Sequence, residues 1–287
     1  MDATLLVSVV ITTYNRSDAL IAVLSALTRQ TDRHFEVIVA DDGSTLAHQQ
    51  RIWQSDAAKA LKLTHIWHPD VGFTAAKVRN RGVSASRGSY IVFLDGDCVP
   101  ENDFITRHRQ LAQAGHFCNG SRILLSPELT MRVLSGKETV DGRGWGYWLD
   151  KRLRRESNKL MGHLRLPDIG VRVQPNFNWK GIRSCNMAVW ASDFEKVDGF
   201  DESFQGWGHE DADFVLRLHN LGLARKNGFC ATEVFHLWHK EASRDTESVN
   251  AQRVRQRAND STTRIIRSTL GYAQIRVNDD VVITRTG

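Results

Sequence analysis

Tyr90-Ile91-Val92-Phe93-Leu94-Asp95-Gly96-Asp97 is an unbroken apolar run that ends on two carboxylates. Successive apolar residues, rather than alternating ones, are what a β-strand needs when both of its faces are covered by helices. The same pattern occurs at Leu5 to Thr13, Phe35 to Ala40 and Leu61 to Trp67, and the segments between these runs read as helices. The first helix is expected to start at Ser17 or Asp18, whose side chains can cap free N–H groups, and to carry Ala19, Leu20, Val23, Leu24 and Leu27 on its apolar face. Strand and helix in alternation predict an α/β fold with a Rossmann-like, mostly parallel sheet flanked by helices.

In such sheets, ligands bind beyond the carboxyl ends of the strands. Three polar clusters fall there: Thr12-Thr13-Tyr14-Asn15, Asp41-Asp42-Gly43-Ser44 and Asp95-Gly96-Asp97. Asp95 and Asp97 supply hard oxygen ligands suited to Mg²⁺ or Mn²⁺, and Gly96 would let a ligand approach closely. A metal there would bridge to a diphosphate and act as a Lewis acid as the bond to it breaks. Asp41 or Asp42 would accept a hydrogen bond from a nucleobase N–H, although acids and serines at this position also cap helices.

Composition sets the outer bounds. Of the 287 residues, 41% are apolar and 25% charged, which is enough apolar residue for one large core or two small ones and excludes a disordered chain. The 38 basic and 33 acidic residues leave a net charge of +5, a mild attraction for phosphate-rich ligands that gives no reason to expect nucleic acid as a partner. The apolar run at Leu5 to Ile11 is too short for a signal peptide or a membrane span, so the cytoplasm is the expected compartment, with the inner membrane face as its possible edge. Cys98, Cys118, Cys185 and Cys230 are scattered without a CxxC pair and are expected to be reduced and buried.

From Ser126 to Lys180 the pattern dissolves into glycine-rich, basic sequence, including Gly142-Arg143-Gly144-Trp145-Gly146-Tyr147-Trp148, which reads as a lid that would order over a bound donor. Regular structure is expected to return with a strand at Cys185 to Trp190, helices at Ser192 to Val197 and Glu210 to Leu221, and a strand at about Glu233 to Trp238. An arginine-rich helical tail follows, with a closing hairpin through Asn278-Asp279-Asp280. The corresponding division is 1–125, 126–245 and, as the tail, 246–287. Seven basic and two acidic residues between Arg143 and Arg165 are compatible with a solvated face, a charged glycan, or weak peripheral contact with an anionic lipid surface.

Four motifs in order, Val9 to Arg16, Asp41-Asp42-Gly43-Ser44, Lys77-Val78-Arg79-Asn80-Arg81-Gly82 and Asp95-Gly96-Asp97, resemble glycosyltransferase family 2, whose members have the GT-A fold. A second segment, Gly199-Phe200-Asp201-Glu202 with Gly206-Trp207-Gly208-His209-Glu210-Asp211-Ala212-Asp213, resembles the catalytic segment of galactosyltransferases and chondroitin-synthesising transferases, except that His209 stands where a glycine is usual. The first resemblance implies a UDP-sugar donor held by Thr12, Tyr14, Asp41 or Asp42, Arg79, Asp95 and Gly96. The second implies a smaller acceptor-side subdomain in which Trp207 and Glu210 bind a glycan or lipid-linked glycan and Asp211 is the catalytic base. Metal ligation would fall to Asp97 with His239 and His236, in favour of Mn²⁺ over Mg²⁺. Together these imply a metal-dependent inverting glycosyltransferase, in the setting of bacterial surface polysaccharide or lipopolysaccharide synthesis. The alternatives are a nucleotidyltransferase of the same fold and a non-catalytic glycan-binding protein.

Overall fold

The computed structural model describes residues 5–160, 164–179, 181–204, 206, 208–240, 247–260, 263–275 and 281–285. In chain order the strands are β1 (Val7–Thr13), β2 (Phe35–Asp41), β3 (Leu63–Trp67), β4 (Tyr90–Asp95), β5 (Cys98–Pro100), β6 (His116–Asn119), β7 (Arg122–Leu124), β8 (Val173–Gln174), β9 (Asn186–Trp190), β10 (Ala224–Asn227), β11 (Val234–His236) and β12 (Val282–Arg285). The helices are α1 (Ser17–Leu27), α2 (Leu46–Gln54), α3 (Asp56–Lys59), α4 (Ala75–Ser84), α5 (Phe104–Leu111), α6 (Pro127–Leu134), α7 (Trp145–Leu153), α8 (Ala191–Lys196), α9 (Glu210–Asn220) and α10 (Glu247–Asn259).

A nine-stranded sheet runs in the order β12-β3-β2-β1-β4-β9-β6-β10-β8. β1 to β4 are mutually parallel where they pair, and β9 lies antiparallel between β4 and β6. Side chains alternate across this sheet as the pleat requires. Val9 and Ile11 face a core built with Leu20, Leu24 and Leu27 of α1, while Val10 faces a second core built with Phe93, Phe194, Phe200 and Phe214. Burial on both faces explains why these strands read as continuous apolar runs.

A separate three-stranded sheet, β5-β11-β7, packs beside the first. β11 runs antiparallel to β5, with His236 opposite Cys98, so the chain that leaves Asp97 is paired directly with the strand that ends at His236.

Several expectations are corrected. α1 starts at Ser17 as expected, but the Ser17 side chain does not cap it: its hydroxyl lies 2.9 Å from His48 Nδ1. The stretch from Ser126 onward is not irregular: α6 and α7 lie within it, and the Ser126 side chain caps α6 ahead of Pro127. The Gly142 to Trp148 segment is no lid over the strand ends. Gly142 N–H donates to Glu101 and Arg29 pairs with neighbouring Asp141, which fastens the segment beside the far end of α1. Trp148 is fully buried and stacks on Phe235 at 4.5 Å, so it belongs to the core. The hairpin turn at Asn278 to Asp280 lies outside the described residues, and Val282–Arg285 pairs with β3. All four cysteines are free and buried.

Candidate active site

Thr12 and Asp95 end adjacent parallel strands in register, and the Thr12 hydroxyl donates to Asp95 Oδ1 at 2.9 Å. Gly96 follows, with its N–H donating to the Thr12 carbonyl at 2.8 Å. A Cβ at Gly96 would sit 2.8 Å from that same oxygen. The close approach that demands glycine here is therefore made by the backbone of β1, where the sequence pattern had pointed to a ligand.

At the next strand end, Asp41 is fully buried, and it accepts from the Ser44 N–H at 2.8 Å and meets His65 Nε2 at 3.0 Å. Trp53 donates to the other ring nitrogen of His65, so the histidine proton lies on the side facing Asp41. Both Asp41 oxygens are thus committed to holding the loop. Asp42 retains slight exposure and binds the backbone N–H and hydroxyl of Thr74 at the start of α4, with His68 Nε2 at 3.2 Å. Tyr14 is about half exposed, and its hydroxyl donates to Asp70, a contact that raises the phenol above its ordinary pKa. Gly43 takes φ +100°, and any Cβ would strike the Asp70 backbone, so the two loops that frame this corner interlock only through glycine.

Asp97 gathers two imidazoles: His239 Nε2 lies 3.2 Å and His236 Nε2 3.8 Å from its carboxylate. Burial alone would raise the Asp97 carboxyl, but the His239 hydrogen bond and the positive charges of both histidines and Arg16 hold it below the usual range. Burial lowers the His236 pKa against the pull of Asp97, whereas the hydrogen bond to Asp97 raises that of His239. His239 Nδ1 is 2.9 Å from the Lys240 carbonyl, and donation there orients the ring with Nε2 toward Asp97, where a divalent ion would take the place of the Nε2 proton. A ring fixed by its other nitrogen is the arrangement expected of a metal-ligating histidine. The Cys98 thiol lies within 4.8 Å of the Asp97 and His236 donor atoms, but burial pushes its pKa well above normal and keeps it protonated. The donor set that remains, one carboxylate and two imidazoles, fits a divalent ion of the Mn²⁺ kind.

Arg79 of α4 joins the two halves. Its guanidinium is buried, reaches Glu210 Oε1 at 3.0 Å and Asp95 Oδ1 at 3.4 Å, and lies 5.4 Å over the Phe200 ring. Burial disfavours its charge, but Asp95, Glu210 and Asp211 outweigh that and hold it firmly protonated. Asp211 stands beside Glu210 at the start of α9, where acids favour the positive helix end. Its carboxyl accepts from the Ala212 N–H at 2.8 Å and the Ser184 N–H at 3.4 Å. Burial first, and then the charge of Glu210, push its pKa up to about 7 against the opposing pull of Arg79.

Asn80 explains why two distant motifs occur together. Its amide donates to the Phe200 carbonyl and to Glu202, and its Oδ1 accepts from the Phe200 N–H, which ties α4 to Gly199-Phe200-Asp201-Glu202. His209, standing where a glycine is usual, adopts a left-handed conformation with φ 71°, and its ring lies tilted against that of Trp179 at 5.4 Å.

Residues 8–164 match glycosyl transferase family 2, and residues 169–240 match the N-terminal domain of galactosyltransferase. The chain belongs to glycosyl transferase family 2. Among relatives of this family 2 chain, validoxylamine A glucosyltransferase of Streptomyces hygroscopicus subsp. jinggangensis is 29% identical over 76% of the chain. Hyaluronan synthase of Pasteurella multocida is 30% identical over 75%. The chain spans 52% of the first relative's length and 23% of the second's. A mannosyltransferase from Pyrobaculum calidifontis, solved with GDP-Man and Mn²⁺, shares the fold at TM-score 0.54 and 16% identity, covering 82% of this chain and 58% of its own. The architecture is the GT-A fold expected of the family.

The structure thus links Thr12, Asp95, Arg79 and Glu210 through side-chain contacts, with Gly96 following Asp95 and Asp211 following Glu210, and gathers Asp97 with His236 and His239. Trp207 lies outside the described residues. The sequence reading missed the buried cluster behind α9. Asp213 and Arg217 are fully buried partners at 2.8 Å, and Arg257 of α10 pairs with both Asp213 and Asp201. Arg217 also donates to the carbonyls of Val197 and Gly199. The usable signal was the four-residue spacing of Asp213 and Arg217 on one helix face. Among the described residues, no helix is long and apolar enough to cross a membrane.

Proposed function

We propose that this glycosyltransferase moves a sugar from a UDP-sugar to a hydroxyl of a glycan or lipid-linked glycan with inversion, in bacterial surface polysaccharide assembly. The observation that carries the reading is Arg79, one buried side chain that binds Asp95 on the donor side and Glu210 on the acceptor side. It sets a donor-side and an acceptor-side carboxylate within one guanidinium's reach, which is the proximity a displacement at the anomeric carbon requires.

Asp211 is the base. A carboxyl with a pKa of about 7 is half ionised at neutral pH, where proton acceptance is strongest relative to the fraction available. Glu210 accepts a hydrogen bond from the acceptor sugar, and Trp207 supplies the flat apolar face beside it. Tyr14, Thr12 and Asp42 line the uridine side, with Asp41 bracing the loop from beneath, and Arg79 with Asp95 and Gly96 borders the donor sugar and diphosphate. A divalent ion, Mn²⁺ or Mg²⁺, held by Asp97, His236 and His239, would supply Lewis-acid neutralisation of the leaving diphosphate.

Screening UDP-sugars for hydrolysis or transfer, with Mn²⁺ and with a chelator, tests this. Release of UDP that the chelator abolishes supports it. Release of GDP in place of UDP removes the donor assignment, and release from no sugar nucleotide removes the reaction.

A further inference from the structure

α7 presents an exposed apolar stripe. Trp145, Leu149 and Leu153 recur every four residues and share one helix face, with 46%, 49% and 77% of their surface in solvent. The opposite face is core: Trp148 stacks on Phe235 and Lys151 is buried between Glu138 and Glu156. Nothing in the packing of α7 requires leucines on its outer side.

The stripe is edged with positive charge. Arg152 and Arg155 are exposed and have no acidic partner among the described residues, while Arg154 pairs only with Asp150 on the surface. Arg143 flanks the helix start, its guanidinium over the Tyr147 ring at 5.3 Å. A short helix with tryptophan and leucine on one side and arginines at the margins has the composition that lies in the interfacial plane of a bilayer. Tryptophan favours the headgroup level, and arginine is drawn to anionic lipid. A soluble acidic partner would account for the arginines but not for the leucines between them.

We infer that the outer face of α7 is a docking surface for an anionic membrane, with Trp145, Leu149 and Leu153 entering the headgroup region and Arg152, Arg154 and Arg155 contacting lipid phosphates. The placement is functional in kind. Through Trp148 and Phe235, α7 rests on β11, the strand that ends at His236, so a bilayer on its outer face lies about one helix diameter, roughly 10 Å, from the strand that carries a candidate metal ligand. The inference goes beyond the transfer reaction and does not depend on it.

Flotation with vesicles of phosphatidylcholine alone, or mixed with phosphatidylglycerol, tests the surface without donor, acceptor or metal. The full chain is expected to float with anionic vesicles, and roughly tenfold less with neutral ones or at high salt. Leu149→Ser with Leu153→Ser, and separately Arg152→Gln with Arg155→Gln, should each reduce retention about tenfold while thermal melting and UDP release in solution stay unchanged. Retention that is equal in all three proteins overturns the proposal. So does absence of vesicle binding by the unaltered chain, with retention on a soluble polyanion instead. A dimer that the leucine pair dissociates, with no lipid retention, would assign the stripe to a second copy and overturn it as well.

Discussion

Replacing Asp211 by Asn separates the reactive carboxyl from the fold that strains it. Asp211 has a pKa near 7 in the folded chain, against 3.8 for an ordinary aspartate. The folded state therefore holds a proton that the unfolded state has already lost across that interval, and stability falls as pH rises from about 4 to about 7. Three units correspond to about 4 kcal/mol in total, and about 3 kcal/mol of this falls between pH 5 and pH 8. Asn has no charge to desolvate and does not share the loss. Melting both proteins at about pH 5 and about pH 8 should show the Asn variant gaining on the parent by roughly 5 °C between the two conditions, since other titrating groups cancel in the comparison. The same substitution should lower transfer by about 10²–10⁴-fold, and parent kcat/KM should climb through pH 7 before levelling. A melting difference that is identical at the two pH values would refute the burial argument, and retained transfer would refute the role.

Asp97→Ala, or His236→Ala with His239→Ala, should abolish Mn²⁺-dependent UDP binding by calorimetry, whereas Asp211→Asn leaves it nearly intact; equal loss in all of them would contradict the division of labour. Arg257→Ala removes the cation that bridges the buried Asp201 and Asp213, leaving Asp213 to Arg217 alone and Asp201 to a 3.8 Å contact with Arg253, and urea denaturation should show a loss of about 3–5 kcal/mol. Gly96→Ala forces a methyl against the Thr12 carbonyl and should cost transfer activity without a change in metal ligands, visible as reduced UDP affinity. Trp148→Ala should destabilise the chain by about 3–5 kcal/mol with little change in KM for a soluble acceptor, as expected of a core residue.

The parallel strands were legible because each is buried on both faces and so shows the same unbroken run: the expected Phe35 to Ala40 and the apolar run from Tyr90 became Phe35–Asp41 and Tyr90–Asp95. Segments whose polarity hid their burial were not legible. β10 reads Ala-Arg-Lys-Asn, and it is a strand because Lys226 is buried against Asp168 at 2.5 Å, a pairing no local pattern announces. α7 has glycines at 144 and 146 and a basic end, and what holds it is Trp148 meeting Phe235, far away in sequence. α6 did carry a signal, a serine cap followed by proline in the first helical turn, in a stretch whose charge and glycine content drew attention elsewhere.

The candidate site divides along the same line. Single motifs placed Asp95, Asp97, Asp211 and the late histidines, because each sits where a strand ends or a helix begins. What no motif states is the set of bonds that makes the halves one cavity. Asn80 grips Phe200 by three hydrogen bonds with its neighbourhood, Arg79 reaches across to Glu210, and Arg257 pins the buried acids behind α9. Each of these places a polar group in the interior, where an unpaired partner costs several times what the pair contributes. A loss at any one of them therefore registers twice, as lowered stability and as displacement of the α9 carboxylates from the Asp95 side. That coupling is why Arg257, which touches none of the residues proposed to contact donor or acceptor, is expected to matter to transfer.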